Sequence, residues 1–433
     1  IWAGLTTPQN NATLTFIHVL FEWEEEPNAT GYEFQLSGSE DFNNPLVNTI
    51  ITDLFYIEKE KINWESNYYW RVRPEGGEWI NTFNFTTTES SVTFQNDDKP
   101  IEILEYNPGL ASDGITIFGS YFNNYSAAID MDGNEVWNSG GNNSYVFFGI
   151  DENNNFLGGQ YNSQYPNSLI GCEYSINNDI NWSEPINEGI QNGENFTQHE
   201  IIKLPNGNYM GFVPVIEEHP IPTYTNYLDK RDTPFLWEGY DEEGEEADCF
   251  DYMSDDYKWK GEKIVEWDND GQIVWEWNAF EFYNLNDFDF LAGKQDGHWN
   301  HICSIGGGFT SYDWTHFNAL AYDEIENAVN AVYVSSRHLN RITKIDYNSK
   351  EIIWNMGLQW YGDIVIPFDD FFSGQHGLQL LSNGNIVTLD NGTHSQIYIP
   401  GLTAPISRAL EINVSEDNGQ YTATTVWSYP LPY

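Results

Sequence analysis

His199 opens the phrase HEIIKLPNGN and His376 opens HGLQLLSNGN, two variants of one pattern that keeps a histidine seven residues ahead of an Asn-Gly-Asn turn. Between them lie DWTHFNALAYD, carrying His316 and Asn318, and VYVSSRHLNRITKID, carrying Arg337 and His338. A neutral imidazole can attack an electrophile or move a proton near neutral pH. A guanidinium offers a planar fork for two oxygens of a tetrahedral anion, and a buried asparagine can bind substrate or tie loops together. These residue types suit transfer of an anionic group through a covalent histidine. A lone histidine at a strand start is commonly a structural hydrogen-bonder, so the grouping carries the reading. His338, beside Arg337, is expected on the opposite face of its strand and in a structural role. Arg408 reads as a surface ion pair. His298 and His301 have a metal-like spacing, but no carboxylate or cysteine motif completes a ligand set.

The elements that must position these side chains read as strands. Apolar residues between each histidine and its Asn-Gly-Asn suggest a strand running into a hairpin, with Asn-Gly supplying the positive φ angles of a two-residue turn. A second phrase alternates with the first: DMDGNEVW (130–137), DNDGQIVW (268–275) and, one residue longer, DYNSKEIIW (346–354). Repeated turn-plus-strand units closed by tryptophan predict an all-β fold, a β-propeller of about six blades at roughly 40–55 residues each. Helical periodicity is almost absent. Residues 1–88 have another grammar, in which FEWEEEPNATGYEFQLS and NYYWRVRP resemble a fibronectin type III-like β-sandwich with Trp23 and Trp70 in its core. Residues 89–100 read as a linker and 101–433 as the propeller. The chain stops just after a Trp-closed strand, so the expectation is that the native polypeptide continues or that a separate fragment completes the last blade.

D-W-x-H-x-N, S-S-R-H and Q-H-x-x-Q-x-L-x-N-G-N, in that order, resemble the PAPS-independent arylsulfotransferases over about residues 101–433. The resemblance implies a secreted six-bladed propeller with its active site in the central channel, and no nucleotide or other cofactor. It implies that His376 becomes transiently sulfated, that His316, Asn318 and Arg337 line the sulfuryl site, and that His199 joins them. Glu200 and Gly377 depart from the family, which often has aspartate after the two histidines. Sulfuryl transfer resembles phosphoryl transfer, with a loose transition state whose charge lies on peripheral oxygens. His316 or His199 is expected to protonate the leaving phenolate and then deprotonate the acceptor phenol. The implied partners are a small-molecule aryl sulfate donor and a phenolic acceptor; a homo-oligomer or extracellular assembly is compatible with the reading. The rival classes are a non-catalytic extracellular propeller that binds or supports other molecules, and a sulfatase in which water replaces the acceptor.

Composition bounds the alternatives. With 66 acidic against 17 basic side chains, a formal net charge of −49 argues against nucleic acid as partner, since phosphates would be repelled. The acid clusters at 130–134 and 240–248 do not match a calcium loop. Cys172, Cys249 and Cys303 show no paired zinc or redox spacing; one pair could form a disulfide. No run of 18 apolar residues predicts a membrane span. A first residue of isoleucine suggests a removed signal peptide and a secreted, periplasmic or cell-surface location. Nine Asn-x-Ser/Thr sequons, at Asn11, Asn28, Asn84, Asn124, Asn142, Asn181, Asn195, Asn391 and Asn413, would permit glycosylation, although composition alone yields about six.

The charge makes a kinetic prediction. A strongly acidic chain repels an anionic sulfate ester, so kcat/KM should rise with moderate salt, measured as initial rates on 4-nitrophenyl sulfate. A monotonic fall from ~10 mM salt upward, where the screening length shortens from ~30 to ~8 Å, would count against wrong-sign steering.

Overall fold

A computed structural model describes residues 4–90, 103, 106–120, 125–140, 145–161, 169–185, 197, 199–219, 239–240, 246–247, 257–287, 312–324, 330–360, 362–393, 395, 401–402 and 404–431. Within them the chain is nearly all-β, built from thirty strands and the single-turn helix α1 (Ala279–Phe282). No helix of the described residues is long and apolar enough to cross a membrane. The chain forms two compact units, Ile1–Tyr161 with Cys172–Trp182, and Asn162–Gly171 with Ser183–Tyr433. Residues 91–100 of the expected linker 89–100, His298, His301, His394, Cys249, Cys303 and most of the 240–248 acid cluster lie outside the described residues.

In the first unit, strands β1 (Leu5–Thr7), β2 (Ala12–Leu14), β3 (Val19–Trp23), β4 (Tyr32–Ser37), β5 (Val47–Ile51), β6 (Phe55–Glu58), β7 (Asn67–Pro74) and β8 (Phe83–Thr87) make two sheets, ordered β1-β3-β6 and β2-β8-β7-β4-β5. The alternation that predicted strands also decides the faces: Val19, Phe21 and Trp23 are buried while Leu20 and Glu22 between them are exposed. Trp23 and Trp70 lie in one buried cluster with Phe21, Phe34 and Phe85. Strands β9 (Thr116–Ser120), β10 (Tyr125–Ile129) and β11 (Glu135–Asn138) form a three-stranded sheet. A four-stranded sheet in chain order follows: β12 (Tyr145–Ile150), β13 (Phe156–Tyr161), β14 (Leu169–Tyr174) and β15 (Ile180–Ser183).

The second unit repeats the four-stranded pattern three times. The first sheet runs β16 (Ile201–Lys203), β17 (Tyr209–His219), β20 (Tyr257–Trp267), β21 (Ile273–Asn278), after a short ribbon of β18 (Gly239–Tyr240) and β19 (Glu246–Ala247), with β22 (Tyr312–Asp313) paired to β20. The second runs β23 (Phe317–Asp323), β24 (Ala331–Ser336), β25 (Arg341–Asp346), β26 (Ile352–Gly357). The third runs β27 (His376–Leu380), β28 (Ile386–Asp390), β29 (Arg408–Asp417), β30 (Gln420–Pro430). One apolar cluster joins the first sheet to the second through Phe212, Trp277, Trp314 and Phe317, and another joins the second to the third through Tyr333, Met356, Leu378 and Leu410.

The repeated turns are real, but their geometry differs from the two-residue hairpin expected. Gly207 N–H donates to the Leu204 carbonyl at 2.9 Å and Leu204 N–H to the Asn208 carbonyl at 2.8 Å, with positive φ at Gly207 and not at Asn206. This is the longer hairpin in which only the fourth residue is left-handed. The same paired bonds close 130–134, 151–155, 175–179, 268–272 and 381–385, where Gly133, Asn154, Asn178, Gly271 and Gly384 take the positive φ. In the DMDGN turn, the Asp130 carboxylate accepts the N–H groups of Asp132 and Asn134 at 2.9 and 2.8 Å, so its acidity serves the turn. The recurring tryptophan also has a cause. Trp137 of β11 donates its indole N–H to the Ile176 carbonyl at 2.9 Å, and Trp275 of β21 donates to Tyr347 at 2.8 Å. In both cases an outermost strand is tied to the turn of a neighbouring sheet.

Arg408 is a partly buried clamp, not a surface pair: it binds Asp370 and Asp390 and donates to the Phe371 carbonyl. Arg341 is fully buried, paired with the equally buried Asp287 at 2.6 Å and with Asp363 at 3.1 Å. Replacing Arg341 by Met leaves the Asp287 charge without its guanidinium, so urea denaturation should show a loss of about 3–5 kcal/mol. A loss under about 1 kcal/mol would mean that the pair contributes little to the fold.

Candidate active site

Each sequence-predicted histidine sits at the entrance to the first strand of a sheet. His199 stands two residues before β16, His316 immediately before β23, and His376 is the first residue of β27. All three are only partly exposed. His199 Nε2 and His316 Nε2 are 3.0 Å apart. Arg337 N–H bonds the His316 carbonyl at 3.1 Å and Asn318, two residues after His316, bonds the carbonyl of Gln375 beside His376 at 2.6 Å, so the second unit brings the four predicted groups to one locality, where the charges of Arg337 and His199 act on His376.

His316 has the most constrained geometry. Its φ is +49°, a left-handed conformation rare for a residue with a Cβ and worth about 1–3 kcal/mol of strain. Hydrogen bonds over-determine it. The buried carboxylate of Glu262, from β20, accepts the Thr315 hydroxyl and, at 3.2 Å, the Phe317 N–H, so it grips the residues on both sides of His316. The Ser336 hydroxyl donates to the Thr315 carbonyl at 2.7 Å, and Arg337 N–H donates to the His316 carbonyl at 3.1 Å. Trp314 anchors the segment by donating its indole N–H to the Asp287 carbonyl at 2.7 Å.

Asp313, inside the D-W-x-H motif, orients the ring: its Oδ2 lies 2.5 Å from His316 Nδ1. Burial alone would raise this carboxyl, but the neighbouring His316 and Lys260 charges and the His316 bond hold it well below the usual range. An ionised Asp313 accepts the Nδ1 proton, which leaves His316 Nε2 bare and makes His199 Nε2–H the donor between the imidazoles. Burial lowers His316 well below its ordinary 6.5 despite the opposing pull of Asp313. His376 is lowered to about 4 by burial first, then by the charges of Arg337 and His199. Both imidazoles are therefore neutral at neutral pH.

His338 does not face away. Arg337–Asn340 form a turn after β24, so strand alternation ends at Ser336, and the His338 ring packs 4.5 Å from that of His316. Its Nδ1 meets the Asp313 carbonyl oxygen at 2.7 Å. Asp313, His316 and His338 place ligand atoms within 4.8 Å of one another and could hold a metal ion.

Asn318 donates to the Gln375 carbonyl at 2.6 Å, so it aims the residue before His376. Gln375 itself is buried and donates to Ser335 Oγ, the Ser336 carbonyl and the Arg341 carbonyl at 3.0, 2.9 and 3.1 Å. The glutamine of the Q-H motif thus locks β27 to the neighbouring sheet. His376 Nδ1 lies 3.0 Å from the Gly374 carbonyl oxygen and 2.9 Å from Asn391 Nδ2. Asn391 was legible only as a sequon, and a glycan there would break this contact. His219 is apart from the group, bonded to Glu217 at 2.9 Å and stacked on Phe280.

Other buried carboxyls support the frame. Glu184 accepts the N–H groups of Thr197 and Gly171 at 2.9 and 3.0 Å, and burial pushes it up to about 8. Glu200 accepts the Leu320 N–H at 2.5 Å and is likewise pushed up to about 8. Glu262 is pushed up to about 7 by burial, with the Asp313 charge adding to it.

Residues 244–432 match the family model for arylsulfotransferase (ASST), a span that contains His316, Asn318, Arg337 and His376. No curated protein matches the sequence. Among solved structures the chain is similar to a quinonprotein alcohol dehydrogenase-like protein from Bacteroides thetaiotaomicron VPI-5482, at 10% identity and a TM-score of 0.27 over 99% of this chain and 98% of that one. It is also similar to the dihydro-heme d1 dehydrogenase NirN in complex with DHE, at 9% identity and a TM-score of 0.28 over 100% of this chain and 78% of that one. Likeness at this level carries no weight for fold or chemistry.

Glu184 generates a pH prediction. Its folded value of about 8 exceeds its ordinary 4.5, so the folded state binds the proton more tightly and stability falls as pH rises through that window. One proton changes the slope by about 1.4 kcal/mol per pH unit. Chemical denaturation of Glu184→Gln between pH 5 and pH 8, a window of order three units, should give a shallower fall than the native chain. Parallel slopes would show that Glu184 titrates normally.

Proposed function

We propose that this chain is an aryl sulfotransferase that moves a sulfuryl group from a phenolic sulfate ester to a phenolic acceptor through sulfated His376. The single observation that carries the reading is the convergence of His199, His316, His376 and the Arg337 charge, the last three of which lie in the stretch 244–432 that matches the arylsulfotransferase model. The proposal includes a β-propeller in which the four-stranded sheets are blades with β16, β23 and β27 innermost. Their shared strand order and recurring turns support this. It also includes a fibronectin type III-like reading of β1–β8, supported by the two-sheet order and common aromatic core, and secretion of the protein.

In the first half-reaction the lone pair of His376 Nε2 forms a bond to sulfur as the sulfur–aryl oxygen bond breaks, its electron pair leaving on the phenolate. Arg337 neutralises peripheral sulfuryl oxygens in the loose transition state. The lowered values of His316 and His376 revise the expected proton traffic. A neutral His316 is a base before it is an acid, so, with the acceptor hydroxyl displacing the His199 N–H from its Nε2, it takes the phenol's proton there as the acceptor oxygen bonds to sulfur. The nitrogen–sulfur electron pair then returns to His376. Asp313 offsets the imidazolium that forms on His316. The leaving phenolate receives little help from a charged imidazole, so donors of more acidic phenols should react faster.

Incubation with 4-nitrophenyl sulfate should release nitrophenolate in a burst stoichiometric with enzyme, with continued turnover only when phenol is present. His376→Ala should lose both burst and turnover; a retained burst sinks the assignment. Inorganic sulfate released without phenol would establish hydrolysis instead.

A further inference from the structure

We infer that Asn391 is a positioning residue for His376: its side-chain amide and the Gly374 carbonyl together hold the proton on Nδ1, which leaves Nε2 as the only nucleophilic nitrogen. The inference rests on the proposed reaction and assigns a role to a residue that the sequence marks only as a sequon.

His376 Nδ1 has two close polar neighbours, the Gly374 carbonyl oxygen at 3.0 Å and the Asn391 amide, whose nitrogen Nδ2 is placed 2.9 Å away. A carbonyl oxygen only accepts, so a bare Nδ1 would set two lone pairs against each other at that distance. A protonated Nδ1 satisfies the carbonyl and requires the Asn391 amide to present its oxygen. The two ends of an amide have the same shape, so this needs only a half-turn of the terminal group. One N–H then bridges two oxygens, and Nε2 carries the lone pair.

The backbone keeps Asn391 on target. The Asp390 side chain accepts the Ser373 and Gly392 N–H groups at 2.9 and 2.8 Å and the Arg408 Nε–H at 2.9 Å. The Ser407 hydroxyl donates to the Asn391 carbonyl at 3.0 Å. Gly392 has a φ of +65°, and a Cβ there would lie 1.9 Å from the Ile406 carbonyl oxygen, so the D-N-G turn admits no other residue at its end.

The chemistry explains an amide where His316 has a carboxylate. Sulfation at Nε2 with the proton retained on Nδ1 gives a cationic ring bearing an anionic group. Neutral oxygens steady that ring without fixing its charge, and the nitrogen–sulfur bond stays easy to break. A carboxylate at position 391 would stabilise the sulfated ring and slow its discharge to the acceptor.

The test uses the full chain, 4-nitrophenyl sulfate and phenol. Asn391→Asp, nearly the same shape, should keep the nitrophenolate burst, lose roughly 10-fold or more in steady-state kcat, the scale of one charge-assisted hydrogen bond, and accumulate sulfated protein by intact mass. Asn391→Ala should slow the burst by roughly 10-fold with the donor KM unchanged. Nitrogen NMR of ring-labelled histidine, with His376→Gln as the assignment reference, should show Nδ1 protonated in the native chain and a tautomer mixture in Asn391→Ala. Native burst, turnover and tautomer in both variants would overturn the inference. A native chain that neither bursts nor gains the mass of a sulfuryl group would instead overturn the reaction, and the NMR comparison would still decide the tautomer.

Discussion

The grip of Glu262 on the two residues flanking His316 is the contact from which the site is built. A left-handed non-glycine residue costs about 1–3 kcal/mol and persists only where its surroundings leave no alternative. Here a buried side chain from one sheet receives a hydroxyl and an N–H from the start of the next. The kink turns the His316 ring toward His199 on one side and Asp313 on the other. Without it, the residue before β23 would continue as extended chain and the imidazole would leave both partners.

The same logic of cross-sheet polar anchors recurs at His376. Asn318 and Gln375 bond β23, β24 and the segment before β27 to one another, and Asn340 accepts the Gly374 N–H at 2.6 Å. Apolar packing brings these sheets together through the clusters around Trp314 and Met356, but it is non-directional. Aiming a ring to within hydrogen-bond tolerance falls to the buried amides, whose partners are fixed in number and angle.

This division explains what the sequence could disclose. The strands and the all-β class follow from alternation and turn residues, and His199 and His376 are legible because each stands seven residues ahead of an Asn-Gly-Asn turn. The turn type was misread because Asn-Gly is ambiguous between a two-residue hairpin and one in which only the glycine is left-handed. The face of His338 was misread by carrying strand alternation one turn too far. Asp313 was visible three residues before His316, a spacing that suits a side-chain bond. Glu262 had no signal at all, since it comes from another sheet and its importance lies in which N–H it accepts. Asn391 was masked by a sequence pattern that speaks of glycans.

A last consequence concerns charge. The formal −49 counts every carboxyl as ionised. Burial pushes Glu184, Glu200 and Glu262 up to about 8, 8 and 7, so near neutral pH the frame of the site holds fewer negative charges than the sequence implies. Asp313 stays ionised and spends its charge on His316. Of the scarce guanidinium groups, Arg341 and Arg408 are committed to aspartates, whereas the charge of Arg337 is felt at His376. In the proposed reaction the anionic donor meets neutral imidazoles beside a cation. Uncharged carboxyls, which cost less to bury than ionised ones, let a strongly acidic protein build such a site.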